Sequence, residues 1–212
     1  MKSLILVVPL FSILFPLAAP AEPVYEMNFE NEEVGDYPAD FLVLEGEFAI
    51  QEEEGNKYLE LPGTPLGSFA FLFATNETQG FQISARVRSE KTKRRFPSFA
   101  VGVNGVSGYK LRVDPSKKSL EILKREEDSL VQVPYTWESG KWTLMKLRIR
   151  KEGDSKWKIE GKAWTEGTDE PADWMITYEE TETPVSGKFS VWGKPFSEKP
   201  IQYDDLRVDR IE

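Results

Sequence analysis

The chain has 212 residues, with no cysteine, no histidine and a formal net charge of −9. The absence of cysteine excludes disulfides, thiolate metal sites and lipid attachment through an N-terminal cysteine, and the absence of histidine excludes Ser-His-Asp and Cys-His catalysis and zinc sites with imidazole ligands. Because an acidic surface repels phosphate backbones, nucleic acid is not expected as a partner.

The first residues have the three parts of a secretory signal peptide. Lys2 gives the positive start, Leu4 to Leu17 form an apolar run, and Ala19-Pro20-Ala21 is a small-residue cleavage site. The run is shorter than the about 20 residues that cross a bilayer, although a membrane anchor or a buried strand is the alternative. We expect residues 1–21 to be removed and residues 22–212 to form a single domain that is periplasmic or extracellular, without a transmembrane segment.

Beyond residue 22, apolar and polar side chains alternate with a period of two, which is typical of half-buried antiparallel strands. The clearest case has Phe81, Ile83, Ala85 and Val87 on one face. In chain order, the predicted strands are Tyr25–Phe29, Glu47–Gln51, Tyr58–Leu61, Phe69–Phe73, Phe81–Val87, Phe99–Val103, Tyr109–Val113, Ser119–Leu123, Leu130–Val133, Thr143–Ile149, Trp157–Ala163, Trp174–Tyr178, Lys188–Trp192 and Ile201–Val208. Short strands at this spacing, separated by turn residues, predict an all-β antiparallel sandwich.

The last predicted strand changes parity along its length. Ile201 and Tyr203 share one parity, whereas Leu206 and Val208 share the other. A shift of one residue turns every side chain to the opposite face. The pattern therefore predicts a β-bulge at Asp204-Asp205.

Three stretches of the chain resemble the concanavalin A-like lectin/glucanase superfamily, in particular the laminin-G-like jelly rolls of secreted bacterial proteins. The stretches are Tyr25-Glu26-Met27-Asn28-Phe29-Glu30 with the following Val34-Gly35-Asp36-Tyr37-Pro38, then Gly46-Glu47-Phe48-Ala49-Ile50, and finally Trp192-Gly193-Lys194-Pro195-Phe196 with Pro200-Ile201-Gln202-Tyr203-Asp204-Asp205-Leu206-Arg207-Val208. The resemblance implies a jelly roll whose first and last strands pair side by side.

The resemblance also implies a structural calcium ion where the first and last strands meet, because many jelly rolls of this superfamily bind one there. Calcium takes six to eight oxygen ligands. Asp205 and Glu30 are the first candidates, followed by Asp204 and Asn28. The alternative is that the two aspartates accept backbone N–H groups within the bulge or face solvent.

The laminarinase-like members of this superfamily carry their catalytic carboxylates on one strand as E-x-D-x-E or E-x-D-x-x-E. Glu126-x-Asp128 and Glu152-x-Asp154 begin this pattern, but no third glutamate completes either of them. Both also lie in turn-like sequence. The sequence therefore favours a protein that is not an enzyme, and it indicates no catalytic residue.

A sugar site requires exposed aromatic rings, on which apolar sugar faces stack, and polar side chains around them. Trp164 and Trp192 have the parity of the polar strand faces, as do four polar residues, Arg86, Arg88, Asn104 and Arg112. If their strands are neighbours, these side chains line one concave face. The alternative for each tryptophan is packing beneath a covering loop.

The segment Lys91-Thr92-Lys93-Arg94-Arg95 is strongly basic, and it is either a solvated loop or a grip for an anionic polysaccharide or another acidic surface. We expect a secreted, non-catalytic, lectin-like module that binds a glycan or an envelope surface. A divergent glycoside hydrolase with carboxylates on different strands and a purely structural envelope protein are the alternatives.

Overall fold

The computed structural model describes residues 23–125 and 128–211. The predicted signal peptide, residues 1–21, lies outside the described residues, as does part of the Glu126-x-Asp128 pattern. No helix in the described part of the chain is long and apolar enough to cross a membrane. The strands are β1 Pro23–Met27, β2 Leu42–Glu45, β3 Ala49–Glu53, β4 Asn56–Leu61, β5 Phe69–Glu77, β6 Phe81–Ser89, β7 Ser98–Val103, β8 Tyr109–Asp114, β9 Ser119–Lys124, β10 Asp128–Pro134, β11 Thr143–Gly153, β12 Lys156–Thr165, β13 Ile176–Glu180, β14 Gly187–Lys194 and β15 Ile201–Arg210.

The strands form two antiparallel sheets that pack face to face. Sheet A has the order β13-β12-β11-β6-β15-β4-β3, with β1 also paired to β15, and sheet B has the order β10-β9-β8-β7-β14-β5-β2. The predicted all-β sandwich is therefore confirmed, and so is the pairing of the first and last strands, in which Met27 lies opposite Leu206.

Strand β2 is the one strand of the described chain that the sequence did not predict. It is short, and it lies at the edge of sheet B beside β5. Its exposed residues Leu42 and Leu44 are as apolar as the half-buried Val43 between them, so the sequence shows no alternation of apolar and polar residues. Burial on one face is what produces the period of two. An edge strand that buries little therefore gives no such signal.

The core lies between the sheets and is rich in phenylalanine. In β6 the residues Phe81, Ile83, Ala85 and Val87 are all buried, as their alternation predicts. The Phe41 and Phe71 rings stack with their centroids 4.5 Å apart. The alternate side chains of each strand are thereby left on the outer faces of the sandwich.

Strand β15 contains the predicted bulge, since its register with β6 shifts between Asp204 and Arg207. On its other edge, β15 pairs first with β4, up to Tyr203, and then with β1, from Leu206 onward. The bulge therefore falls in the gap between β4 and β1. This gap positions the side chains described next.

Candidate functional site

Arg86 is the centre of a charged cluster on the outer face of sheet A. It projects from β6 opposite Asp204, and its Nη2 donates to Oδ2 of Asp204 at 2.6 Å. Its Nε lies 2.9 Å from Oδ2 of Asp205, and Nη1 lies 3.1 Å from Oε1 of Glu166. Asp205 has a φ of 49°, and this left-handed residue of the bulge lets two successive carboxylates reach one guanidinium.

Trp142 lies beside this cluster, immediately before β11. The guanidinium carbon of Arg86 is 4.8 Å from the centroid of its ring, and that of Arg88 is 4.9 Å away. Arg88 also donates to Oε1 of Gln202 at 2.5 Å. The two arginines are therefore held in place by protein groups, through cation–π and hydrogen-bond contacts.

Trp164 lies near the end of strand β12, where it faces outward opposite Leu144 of β11. Its side chain is largely covered, with 8% of the residue exposed, and the ammonium of Lys146 is 5.6 Å from the ring centroid. Lys146 and Lys162 both pair with Glu170 at 2.7 Å. These two ion pairs hold the loop after β12 against the outer face of the sheet.

A cleft of about 650 Å³ opens between that loop and the segment that follows β1. We call it the sheet A cleft. Its floor consists of side chains from β6 and β11, its walls come from residues 26–32 and from Trp164 and Glu170, and the bulge closes one end. The residues that line the cleft include Asn28, Asn31, Ser84, Arg86, Leu144, Lys146, Trp164, Glu170 and Asp205.

Four of the predicted site residues therefore meet in one place. Trp164 and Arg86, proposed for sugar binding, line the same cleft as Asp205 and Asn28, proposed for calcium. Sequence reasoning missed Asn31, Glu170 and Trp142. No alternation marks them because all three lie in loops, and only the fold brings them to the strands.

The predicted calcium site is not assembled. Lys57 donates from its ammonium to the backbone oxygens of Glu30 at 3.2 Å and Glu32 at 2.7 Å, and its backbone N–H donates to Oε1 of Glu30 at 3.1 Å. Asp204 is compensated by Arg86, as described, and accepts from Asn56 at 3.0 Å.

Side-chain cations therefore occupy the place where the resemblance implied a metal ion. No group of three or more acidic residues among the described residues is arranged to hold one. Asp204, Asp205, Glu30 and Asn28 thus do not fit a calcium site. The bulge instead forms an ion-pair cluster that is closed by a guanidinium.

The other predicted sugar-binding residues lie elsewhere, so the expectation of a single face is wrong. Arg86, Arg88 and Trp164 belong to sheet A, whereas Arg112 and Trp192 belong to sheet B. Asn104 follows β7 and donates to the backbone oxygens of Glu77 and Thr78, both at 3.0 Å. Alternation identifies which side chains face outward, but it does not assign a strand to a sheet.

The outer face of sheet B has a smaller hollow of about 340 Å³. Trp192 and Arg112 both line it, together with Ala70, Ala100 and Leu123. The ammonium of Lys110 lies 3.5 Å from the centroid of the Trp192 ring and therefore covers one face of the ring that a sugar would require.

No family model matches the chain, and no curated protein matches it. Solved structures do match. The carbohydrate-binding module CBM66 from Bacillus subtilis is 12% identical, with 80% of this chain and 95% of that chain covered and a TM-score of 0.54. A structure described under endo-acting O-glycanases that members of the human gut microbiota express to initiate mucin breakdown is 11% identical, with 90% and 100% covered and a TM-score of 0.60.

The exoplasmic/lumenal domain of VIP36, in a form bound to Ca²⁺ and Man3GlcNAc, is also similar. It is 8% identical, 88% of each chain is covered, and the TM-score is 0.57. At identities this low, the likeness shows the fold alone. The chain therefore has the fold of the lectin-like β-sandwiches.

Proposed function

We propose that this protein is an exported, non-catalytic glycan-binding module of the concanavalin A-like superfamily, and that the sheet A cleft is its binding site. The observation that carries the proposal is the convergence of amide, hydroxyl and charged side chains in one cleft of about 650 Å³, to which Leu144 and Trp164, although Trp164 is only 8% exposed, add an apolar lining. Sites for small ligands have volumes of roughly 300–1,000 Å³. The neighbours described as a carbohydrate-binding module and as a Man3GlcNAc-bound domain favour the same class of ligand.

The polar groups of the cleft suit the hydroxyl groups of a sugar. Asn28 and Asn31 are exposed on one wall, Ser84 is half-buried in the floor, and Asp205 is exposed at the end. Amides both donate and accept hydrogen bonds, whereas carboxylates accept only. The Leu144 side chain and the small exposed part of Trp164 provide an apolar patch for the C–H face of a sugar ring.

The charges of the cleft favour a neutral glycan. Three cations and four carboxylates line it, and they are largely paired with one another: Arg86, Lys146 and Arg207 against Glu26, Glu32, Glu170 and Asp205. A polyanion would meet as much repulsion as attraction in such a site. We therefore expect neutral oligosaccharides to bind in preference to sulfated or uronic acid-containing ones.

The carboxylates support binding without hydrolysis. A glycosidase requires a carboxylic acid that stays protonated near neutral pH, and therefore a raised pKa. Burial raises the pKa of Asp204, but its side chain is 1% exposed and bonded to Arg86, where a glycan does not reach it. Burial would also raise the pKa of Glu170, but hydrogen bonds from Lys146 and Lys162 outweigh it and lower the pKa.

The binding experiment is a glycan array of neutral and acidic oligosaccharides, followed by calorimetric titration of the strongest neutral ligand. Asn31→Ala removes one exposed amide from the cleft wall and is expected to weaken binding about fivefold to tenfold, the loss that one hydrogen bond of about 1 kcal/mol gives. Asn76→Ala is the matched control because Asn76 is also an exposed amide, on β5 and outside the cleft.

Equal affinities for the two variants, or an array without a neutral ligand, would overturn the proposed site. Release of reducing sugar by the wild-type protein would overturn the non-catalytic part and favour the hydrolase. Export has a separate test, which is the N-terminal sequence of the protein recovered outside the cytoplasm of a bacterial host. We expect it to begin at Glu22.

A further inference from the structure

The basic segment singled out in the sequence lies at one end of the sandwich, among three loops that cross from sheet A to sheet B. These loops connect β4 to β5, β6 to β7 and β14 to β15. Ile201 pairs with both Leu61 and Ser89, and Gly193 pairs with both Phe69 and Phe99. The three loops therefore begin and end side by side. We call this end of the molecule the basic tip.

Close contacts join the three loops. Arg95 pairs with Glu198, which ties the β6–β7 loop to the β14–β15 loop. A Cβ placed on Gly63 would lie 2.6 Å from the backbone carbon of Glu198, so the β4–β5 loop packs directly against the β14–β15 loop. The tip is thus a single surface.

Two large apolar side chains are exposed on this surface. Leu66 is 52% exposed and Phe196 is 45% exposed. The segments 62–68 and 194–200 are of equal length between the pairs Leu61↔Ile201 and Phe69↔Gly193, so Leu66 and Phe196 occupy matched positions in adjacent loops. Exposed apolar side chains that are grouped in this way mark an interaction surface.

Exposed cations also lie on the loops of the basic tip. Lys91, Lys93, Arg94 and Lys199 are exposed, and within residues 23–125 and 128–211 none of the four makes an ion pair. Three glutamates lie at the same end: Glu198 pairs with Arg95, Glu138 pairs with Lys141 in the β10–β11 loop, which contacts Lys91, and Glu90 is exposed in the β6–β7 loop. Since the whole chain carries −9, the tip is a local reversal of the overall charge.

We propose that the basic tip docks the protein onto the surface of an anionic lipid bilayer, an interaction that goes beyond the proposed glycan binding. Lysine and arginine near an anionic leaflet are attracted to it within a Debye length, and Phe196 and Leu66 insert into the headgroup boundary, where buried apolar area adds affinity. The remaining surface of the protein is acidic and is repelled by the anionic lipids, so only the tip faces the bilayer.

A lipid surface explains the tip better than an acidic polysaccharide does, because a polysaccharide uses the cations but leaves Leu66 and Phe196 in water. The two partners therefore differ in what they require. A bilayer depends on both the charges and the apolar pair, whereas a soluble polyanion depends on the charges alone.

The experiment is co-sedimentation of the exported protein with vesicles of phosphatidylcholine alone and of phosphatidylcholine mixed with phosphatidylglycerol. We expect binding only to the mixed vesicles, weakening with added salt. Lys93→Glu/Arg94→Glu is expected to reduce binding about 30-fold or more, since two favourable charges near the leaflet are lost. Leu66→Ser/Phe196→Ser is expected to reduce it severalfold with the charges intact.

Each variant has a matched control elsewhere on the surface. Arg125→Glu/Lys151→Glu makes the same change of net charge on exposed residues outside the tip, and Val185→Ser truncates an exposed apolar side chain outside it; both are expected to bind like the wild type. The proposal is overturned if the protein does not bind to mixed vesicles, or if the controls lose as much vesicle binding as the tip variants. It is also overturned if Leu66→Ser/Phe196→Ser binds like the wild type, because charge alone would then explain the attraction. Glycan titrations of the same variants separate this result from the cleft, since no tip residue lines it.

Discussion

Removal of Arg86 tests the charge arrangement beneath the sheet A cleft. Asp204 is 1% exposed at its side chain, and Arg86, 20% exposed, is its ion-pair partner at 2.6 Å. Arg86→Met keeps the length of the side chain but leaves the Asp204 carboxylate buried without its cation. Breaking a buried pair by removing one partner costs about 3–5 kcal/mol, and we expect a loss of that size in the free energy of unfolding at pH 7.

The loss should become smaller in acid. Burial already raises the pKa of Asp204 in the folded protein, and without Arg86 the pKa rises further. An acid whose folded pKa is raised favours folding when it is protonated, so the destabilisation by Arg86→Met is largest above the folded pKa and disappears as the pH falls below the pKa of the unfolded chain.

The assay is urea unfolding of four proteins: the wild type, Arg86→Met, Asp204→Asn and the double variant. If the buried charge causes the loss, Arg86→Met/Asp204→Asn is more stable than Arg86→Met alone. Its loss is also smaller than the sum of the two single losses by about 2 kcal/mol, a coupling typical of residues in direct contact. The role of the buried charge would be contradicted if the losses of the two single variants simply add in the double variant. It would also be contradicted if Arg86→Met lowers the free energy of unfolding by less than about 1 kcal/mol at pH 7.

Three further predictions concern the rest of the fold. Burial would raise the pKa of Glu180, but hydrogen bonds from Lys124, Tyr109 and backbone N–H groups lower it to about 2. Glu180→Gln is therefore expected to lower the free energy of unfolding by about 3 kcal/mol at pH 7, and by progressively less as the pH falls toward 2. Urea unfolding at several pH values measures this loss. A Cβ on Gly193 would lie 2.2 Å from the Tyr203 hydroxyl, so Gly193→Ala is expected to lower the free energy of unfolding by about 1–3 kcal/mol, with partial rescue by Tyr203→Phe, and an unrelieved loss would contradict the stated clash. Chelation with EDTA is expected to leave the melting temperature unchanged, because the acidic residues at the bulge are paired with side-chain cations. A metal bound to the native state would stabilise the fold, so a fall in the melting temperature would instead favour the calcium site.

The sequence predicted the elements that bury one face and remain polar on the other. Strand β6 is the clearest example, since Phe81, Ile83, Ala85 and Val87 alternate with outward residues over its whole length. The bulge in β15 was predictable for the same reason, because it leaves a change of parity between Tyr203 and Leu206.

The candidate site was predictable only in part, because its residues come together through tertiary pairing. The parity of Trp164 indicated an outward ring, but nothing local placed it near Asn28 or Glu170. Arg86 and Asp204 are separated by 118 positions, so the cation that replaces the expected calcium could not be read from the neighbourhood of the bulge. Likewise, Trp192 has the same kind of alternation as Trp164 but lies in the other sheet.

The proposed glycan binding in the sheet A cleft is tested most directly by hydrogen–deuterium exchange with and without a saturating amount of the neutral glycan selected on the array. We expect slower exchange in residues 26–32 and 164–170, the two walls of the sheet A cleft, and little change in sheet B. Protection confined to β8, β9 and β14, around Trp192, would contradict it and would move the binding site to the opposite face of the sandwich.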